Sequence, residues 1–125
     1  MKLIALVLTL ATLHVQAQDP DRARDAAEIR ALISKTKALA ASGLRCRRQA
    51  ECVPVALGKK VCGGPTDYTF TSVRNRRYSE VARLAQLSTD KETAFNIRYN
   101  VISDCSILFA PRLQCHRNRC VPATR

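Results

Sequence analysis

The chain contains no tryptophan, one methionine, three tyrosines and three phenylalanines in 125 residues. A protein that reads single-stranded nucleic acid needs aromatic platforms for base stacking. Phe95 and Phe109 fall on expected core faces here, and of the other four only Tyr68, Phe70 and Tyr78 are near enough to the arginines around Arg74 to stack there, so specific nucleic-acid recognition is set aside. Histidine is scarce as well, with two in the chain. His14 lies in the apolar leader, so any Ser-His-Asp or Cys-His arrangement would have to be built on His116, with Ser103, Ser106 and Asp104 nearest in sequence. No Cys-x-x-Cys is present, which removes a thioredoxin-like redox role. Four glycines and five prolines leave no room for a low-complexity tract or a long linker. No apolar run reaches the roughly 20 residues of a transmembrane helix.

What is present begins with an export signal. Lys2 gives the positive start, Leu3 to Leu13 the apolar run, and Val15-Gln16-Ala17 the small-residue cleavage pattern. Residues 1–17 are therefore read as a signal peptide, and secretion or residence in a periplasm is expected. All six cysteines, Cys46, Cys52, Cys62, Cys105, Cys115 and Cys120, lie downstream of it. In an oxidising compartment such a set forms three disulfides, each adding about 2–4 kcal/mol to a small core. Zinc is disfavoured for the same reason, because Cys115-x4-Cys120 around His116 is the sole approximation to a ligand pair. No metal, cofactor or catalytic residue is assigned.

Charge is the second strong feature. Lysine and arginine number 21 against 10 acids, a net charge of +11, or +10 once Lys2 is removed with the leader. The excess is clumped arginine: Arg45, Arg47 and Arg48 around Cys46, then Arg74, Arg76 and Arg77, then Arg117 and Arg119 beside His116. Guanidinium forks suit carboxylates and phosphates. These eight arginines are the candidate binding residues, and an acidic protein or an anionic envelope component the expected partner of a monomer.

The fold expected is α+β: residues 18–44 form an N-terminal amphipathic helix, and residues 45–125 a six-cysteine domain with an antiparallel sheet of short hairpins and a central helical hairpin. Asp19 caps the first helix with Pro20 at its first position, and Ala26, Ile29, Leu32, Ile33, Thr36 and Leu39-Ala40 recur at helical spacing. Cys52 to Leu57 predicts a strand with a turn at Gly58-Lys59-Lys60 and a return at Val61-Cys62, and Cys105 to Phe109 a second such hairpin with Leu113 to Cys115. Gln114-Cys115-His116 can pair with Arg119-Cys120-Val121 across Arg117-Asn118. Thr71 or Ser72 would cap one helical segment, and Thr89-Asp90-Lys91-Glu92 has the form of a capping box opening another.

Six cysteines allow fifteen pairings. If each Cys-x9-Cys unit closes its own hairpin, the bonds are Cys52–Cys62, Cys105–Cys115 and Cys46–Cys120; if Cys115 bonds Cys120, Cys105 must reach back to the first half. Under the first scheme Arg45, Arg47 and Arg48 come beside Arg117 and Arg119, a composite cationic patch that follows from that topology and fails without it.

The run Glu51-Cys52, Gly58-Lys59-Lys60-Val61-Cys62-Gly63-Gly64-Pro65, Tyr68, Ser103-Asp104-Cys105, Pro111, Cys115 and Cys120 resembles a loosely defined group of small secreted bacterial six-cysteine proteins. The likeness covers Cys46 to Pro122. It departs where Tyr68-Thr69-Phe70-Thr71-Ser72 replaces a Tyr-Ser pair and where Asn118-Arg119 replaces a glycine turn. The resemblance implies a disulfide-bonded extracytoplasmic domain and carries no site with it.

Three readings follow. The first is a non-enzymatic binding or inhibitory module for an acidic macromolecule. The second is a cationic, antimicrobial-like agent acting on anionic envelopes. The third is a small hydrolase centred on His116.

Overall fold

The computed structural model describes residues 19–124, so the export signal and its cut after Ala17 lie outside the described residues. The chain is α+β: helix α1 (Pro20–Ala41), a short 3-10 turn (Gln49–Glu51), strands β1 (Cys52–Leu57) and β2 (Asp67–Ser72), helix α2 (Tyr78–Arg98), and strands β3 (Leu113–His116) and β4 (Arg119–Pro122). β1 pairs with β2 and β3 with β4, giving two separate two-stranded antiparallel sheets.

α1 starts where the sequence places it. The Asp19 carboxylate accepts the Asp21 N–H at 3.0 Å, and Pro20 occupies the first turn, where its missing N–H has no consequence. Ile29, Thr36 and Ala40 are buried on one face, which packs along α2 through Val81, Leu84, Ala85 and Ser88. Salt bridges run between the two helices at the open end: Lys91 to Glu28 at 2.7 Å, and Arg98 to Asp25 at 3.2 Å and to Asp21 at 3.7 Å. There the Tyr99 hydroxyl also donates to the Asp25 carboxylate at 2.8 Å, and the Arg22 and Arg98 guanidiniums lie 5.9 and 5.1 Å from the Tyr99 ring centre.

This latch titrates in a defined direction. The hydrogen bond from Tyr99, helped by the Arg98 and Arg24 charges, holds the Asp25 carboxyl below its ordinary value of 3.8. A carboxyl depressed in the folded state contributes fully above its unfolded value and is lost as the pH falls through its folded one. α1 is therefore expected to loosen from α2 at its first turns only below about pH 4. Tyr99→Phe should return the Asp25 titration midpoint toward 3.8, measured by carboxyl NMR; an unmoved midpoint contradicts the assignment.

α2 corrects the expected helical hairpin. Tyr78–Arg98 is one unbroken helix. Thr89 does not open a new segment, because Glu92 is engaged elsewhere: its carboxylate accepts the Lys59 N–H at 2.6 Å and the Thr66 hydroxyl at 2.5 Å, both in the β1–β2 loop. Thr89 itself donates to the carbonyls of Gly58 (3.2 Å) and Ala85 (3.3 Å). With neither glycine nor proline between 78 and 98, nothing ends the helix there. Thr71 and Ser72 belong to β2 instead of capping α2, whose N-cap is Arg77.

Two of the expected hairpins are also corrected. The partner of β1 is Asp67–Ser72, in the register Cys52↔Ser72 to Leu57↔Asp67, and Val61-Cys62 sits in the intervening loop. Gly63 and Gly64 have φ of 101° and 75°, which ends any extended run at Cys62, whereas Tyr68 to Thr71 is a β-branched and aromatic stretch suited to a strand. Pro54 is tolerated because a strand of a two-stranded sheet is always an edge. Cys105 to Phe109 forms no strand. Cys105 has φ of 56° and is bonded to Cys62, which turns this segment away from β3 and leaves Phe109 exposed rather than in the core. The terminal hairpin is as expected, with Cys115 opposite Cys120 and both Arg117 (φ 49°) and Asn118 (φ 59°) left-handed, as its two-residue turn requires.

The disulfides are Cys46–Cys115, Cys52–Cys120 and Cys62–Cys105, so none of the pairs Cys52–Cys62, Cys105–Cys115 and Cys46–Cys120 forms. Nor does Cys115 bond Cys120, but Cys105 does reach back to the first half of the chain. The reason lies in strand geometry. Directly opposed residues of a hairpin point to the same face, so both Sγ atoms of β3–β4 face the 44–52 segment and each takes a cysteine from it. The result is a sulfur-rich core of Leu44, Cys46, Cys52, Leu113 and Cys120, with Phe70 and Cys115 packed against it.

Candidate anion-binding surface

The segment between α1 and β1 runs antiparallel beside β4. The Cys120 N–H donates to the Leu44 carbonyl at 2.8 Å, the Cys46 N–H to the Asn118 carbonyl at 3.1 Å, and Arg45 forms a bridge opposite Arg119. Extended backbone alternates faces. Leu44, Cys46 and Cys120 are therefore buried, and Arg45, Arg47 and Arg119 point outward. Arg45 and Arg119 are cross-strand neighbours, and like charges in that position destabilise a sheet. An anion between them would relieve that repulsion.

Glu51 brings in the next cluster. Its buried carboxylate accepts the Arg47 N–H at 3.3 Å and lies 3.7 Å from Nε of both Arg48 and Arg74. The Val73 N–H donates to the Glu51 carbonyl at 2.9 Å, fixing the β2–α2 turn that carries Arg74. Arg45, Cys46, Arg47, Arg74 and Asn118 line a cleft of about 290 Å³. The guanidiniums of Arg48 and Arg74 thus meet the Glu51 carboxylate, while Arg45 and Arg47 line the cleft beside it and Arg119 stands opposite Arg45.

The structure gathers five of the eight candidate arginines and leaves three aside. Arg77 is committed to Glu80, with Nε at 2.7 Å and a terminal nitrogen at 2.5 Å, and that bond holds the Glu80 carboxyl below its usual value. Arg76 and Arg117 are exposed and do not line the cleft. The expectation that the patch depends on a Cys46–Cys120 bond is corrected. Cys46–Cys115 serves equally, because Cys115 stands opposite Cys120. Glu51 and Asn118 were not among the candidates. Glu51 could have been found from its spacing, three and four residues after the Arg47-Arg48 pair across a short turn.

Other chemistry is less supported by the geometry. His116 is an exposed residue of β3 opposite Arg119, and among the described residues no hydrogen bond joins it to Ser103, Ser106 or Asp104. Asp104 instead accepts the Ser106 N–H at 3.0 Å, which lowers its pKa, and Ser106 accepts from Lys60 Nζ through its carbonyl (2.7 Å) and hydroxyl (2.8 Å). The sulfurs of Cys46, Cys52 and Cys120 lie within 4.8 Å of one another, but each is in a disulfide and offers no thiolate. Among the described residues no helix is long and apolar enough to cross a membrane. No family model, no curated protein and no solved structure matches the chain.

Proposed function

We propose that the protein is an exported, disulfide-stapled binding module, secreted or periplasmic, that uses its arginine cleft to hold an acidic macromolecule without catalysing a reaction. The observation that carries this reading is the Arg45–Arg119 juxtaposition flanked by Arg47 and Arg74, with Glu51 as the one carboxylate among them. Three disulfides fit an oxidising compartment. A scaffold fixed in this way has little conformational freedom to lose when it binds. The partner is an acidic protein face or an anionic envelope component, bound by the monomer through paired hydrogen bonds from the guanidinium forks. A second reading, a cationic agent that disrupts anionic envelopes, draws on the net charge of +11; it predicts leakage of anionic vesicles, where the first predicts saturable binding.

Binding of the folded protein to poly-L-glutamate, titrated at low and high salt, tests the first reading. Arg45→Glu with Arg47→Glu should weaken it about tenfold or more at low salt and flatten the salt dependence. Both side chains are exposed, so the melting temperature should hardly change. Unchanged affinity sinks the proposal, and a matching loss of stability would mean that these arginines are structural.

A further inference from the structure

A second surface, made of different residues, exposes apolar side chains to an unusual degree. Ile102 is 94% exposed, Phe109 82%, Ile107 78% and Ile97 74%, with Val61 and Leu108 also exposed. All but Val61 lie along the last turn of α2 and the irregular segment that follows it; Val61 belongs to the β1–β2 loop. Two hollows open among them, one of about 480 Å³ lined by Val61, Ile97 and Val101 and one of about 330 Å³ lined by Cys62 to Pro65 and Cys105 to Leu108, while Ile102 and Phe109 stand outside both. Val61 and Cys62 are adjacent in the chain, so the hollows adjoin at that point. So many large apolar side chains exposed along one short segment mark a contact site.

The segment is held in place while presenting these side chains. The Cys62–Cys105 bond ties it to the β1–β2 loop, Lys60 Nζ donates to Ser106, and Asn96 Nδ2 donates to the Lys59 carbonyl at 2.7 Å. Of the residues that line the two hollows, Lys59 and Lys60 are charged and none is acidic. Glu92 and Asp104 line neither hollow; their carboxylates accept from the Lys59 N–H and the Thr66 hydroxyl and from the Ser106 N–H. An apolar tip with a basic rim matches the boundary of an anionic bilayer, where acyl chains meet negative headgroups. A second copy fits poorly, because it would bring the same basic rim and a net charge of +11 against its like.

We infer that the 97–109 belt is a membrane-contact surface, inserting Ile102, Ile107 and Phe109 into the headgroup boundary of an anionic phospholipid bilayer while Lys59 and Lys60 meet the headgroups. The arginine cleft stays free for a separate partner. This inference does not rest on the proposed binding of an acidic macromolecule.

Because the chain has no tryptophan, Phe109→Trp introduces a single indole as reporter. With vesicles of phosphatidylglycerol and phosphatidylethanolamine, its emission should shift to the blue and be quenched by brominated acyl chains; with phosphatidylcholine vesicles the shift should be much smaller. In the chain without the indole, Ile107→Ser with Phe109→Ser should lower partitioning onto the anionic vesicles on the order of a hundredfold. That variant should keep its melting temperature and its affinity for poly-L-glutamate, which separates failure here from failure of the arginine site. Three results would each overturn the inference: emission that stays water-like on anionic vesicles, vesicle binding unaffected by the serine pair, or a dimer in sedimentation that the serine pair dissolves.

Discussion

Alanine at Cys46, Cys52, Cys115 and Cys120 together is expected to leave a chain that does not fold, whereas alanine at either bonded pair alone should leave a weakened but folded domain. With Cys46–Cys115 in place, reforming the Cys52–Cys120 contact closes a ring on the order of a dozen residues, through the short spans 46–52 and 115–120, worth about 3 kcal/mol. With both absent, the remaining Cys62–Cys105 link leaves a larger ring to close, so the second loss costs about 3–4 kcal/mol more. The sum reaches the lower end of the 5–15 kcal/mol that stabilises an ordinary domain. These sulfurs also form much of the small core around Leu44 and Leu113, so their removal takes packing as well. Thermal melts followed by circular dichroism decide the matter. A quadruple variant that still melts cooperatively would show that the core stands without its staples.

Gly43→Ala is expected to destabilise by about 2–3 kcal/mol, a large effect for one methyl group. A Cβ at position 43 would fall inside the van der Waals radius of Asn75 Cγ. Asn75 cannot readily withdraw. It is buried, its amide donates to the Leu39 carbonyl and the Thr71 hydroxyl oxygen at 2.9 Å each, and its carbonyl accepts the Arg77 N–H at 2.8 Å. Thr71 in turn donates to the carbonyls of Ala40 (2.9 Å) and Gly43 (3.2 Å). This network joins the end of α1, the end of β2 and the start of α2. Asn75→Ala alone should cost about 2 kcal/mol by leaving those partners unpaired. In the Asn75→Ala background Gly43→Ala should cost clearly less, since the overlaps with Cγ and Oδ1 have gone and only that with the Cβ of residue 75 is left. Additive losses in urea melts of the four proteins would contradict this account.

How legible the molecule is from its residues depends on the range of the interaction. α1, with its Asp19 cap and Ile29–Thr36–Ala40 face, and the terminal hairpin around Arg117-Asn118 are set by local chemistry and stand as read. The corrected elements answer to distant partners. Thr89 to Glu92 has the form of a helix start, but the β1–β2 loop takes the Glu92 carboxylate. Val61-Cys62 and Cys105 to Phe109 alternate like strands, but their cysteines bond each other across the fold. The arginine knots were visible as knots. Which of them meet was not, because that depends on Glu51 holding Arg74 against the 45–48 segment and on the face shared by Cys115 and Cys120. Gly43 reads as a helix stop, and its contact with Asn75 appears only once α1 is docked.

The account depends on the 44–52 segment being fastened to the β3–β4 hairpin, since that gathers Arg45, Arg47, Arg74 and Arg119. Digestion of the unreduced protein with mapping of the linked peptides by mass spectrometry measures it directly. The structure predicts links 46–115, 52–120 and 62–105. Peptides joined 52–62 or 105–115, each hairpin closed on itself, would contradict it.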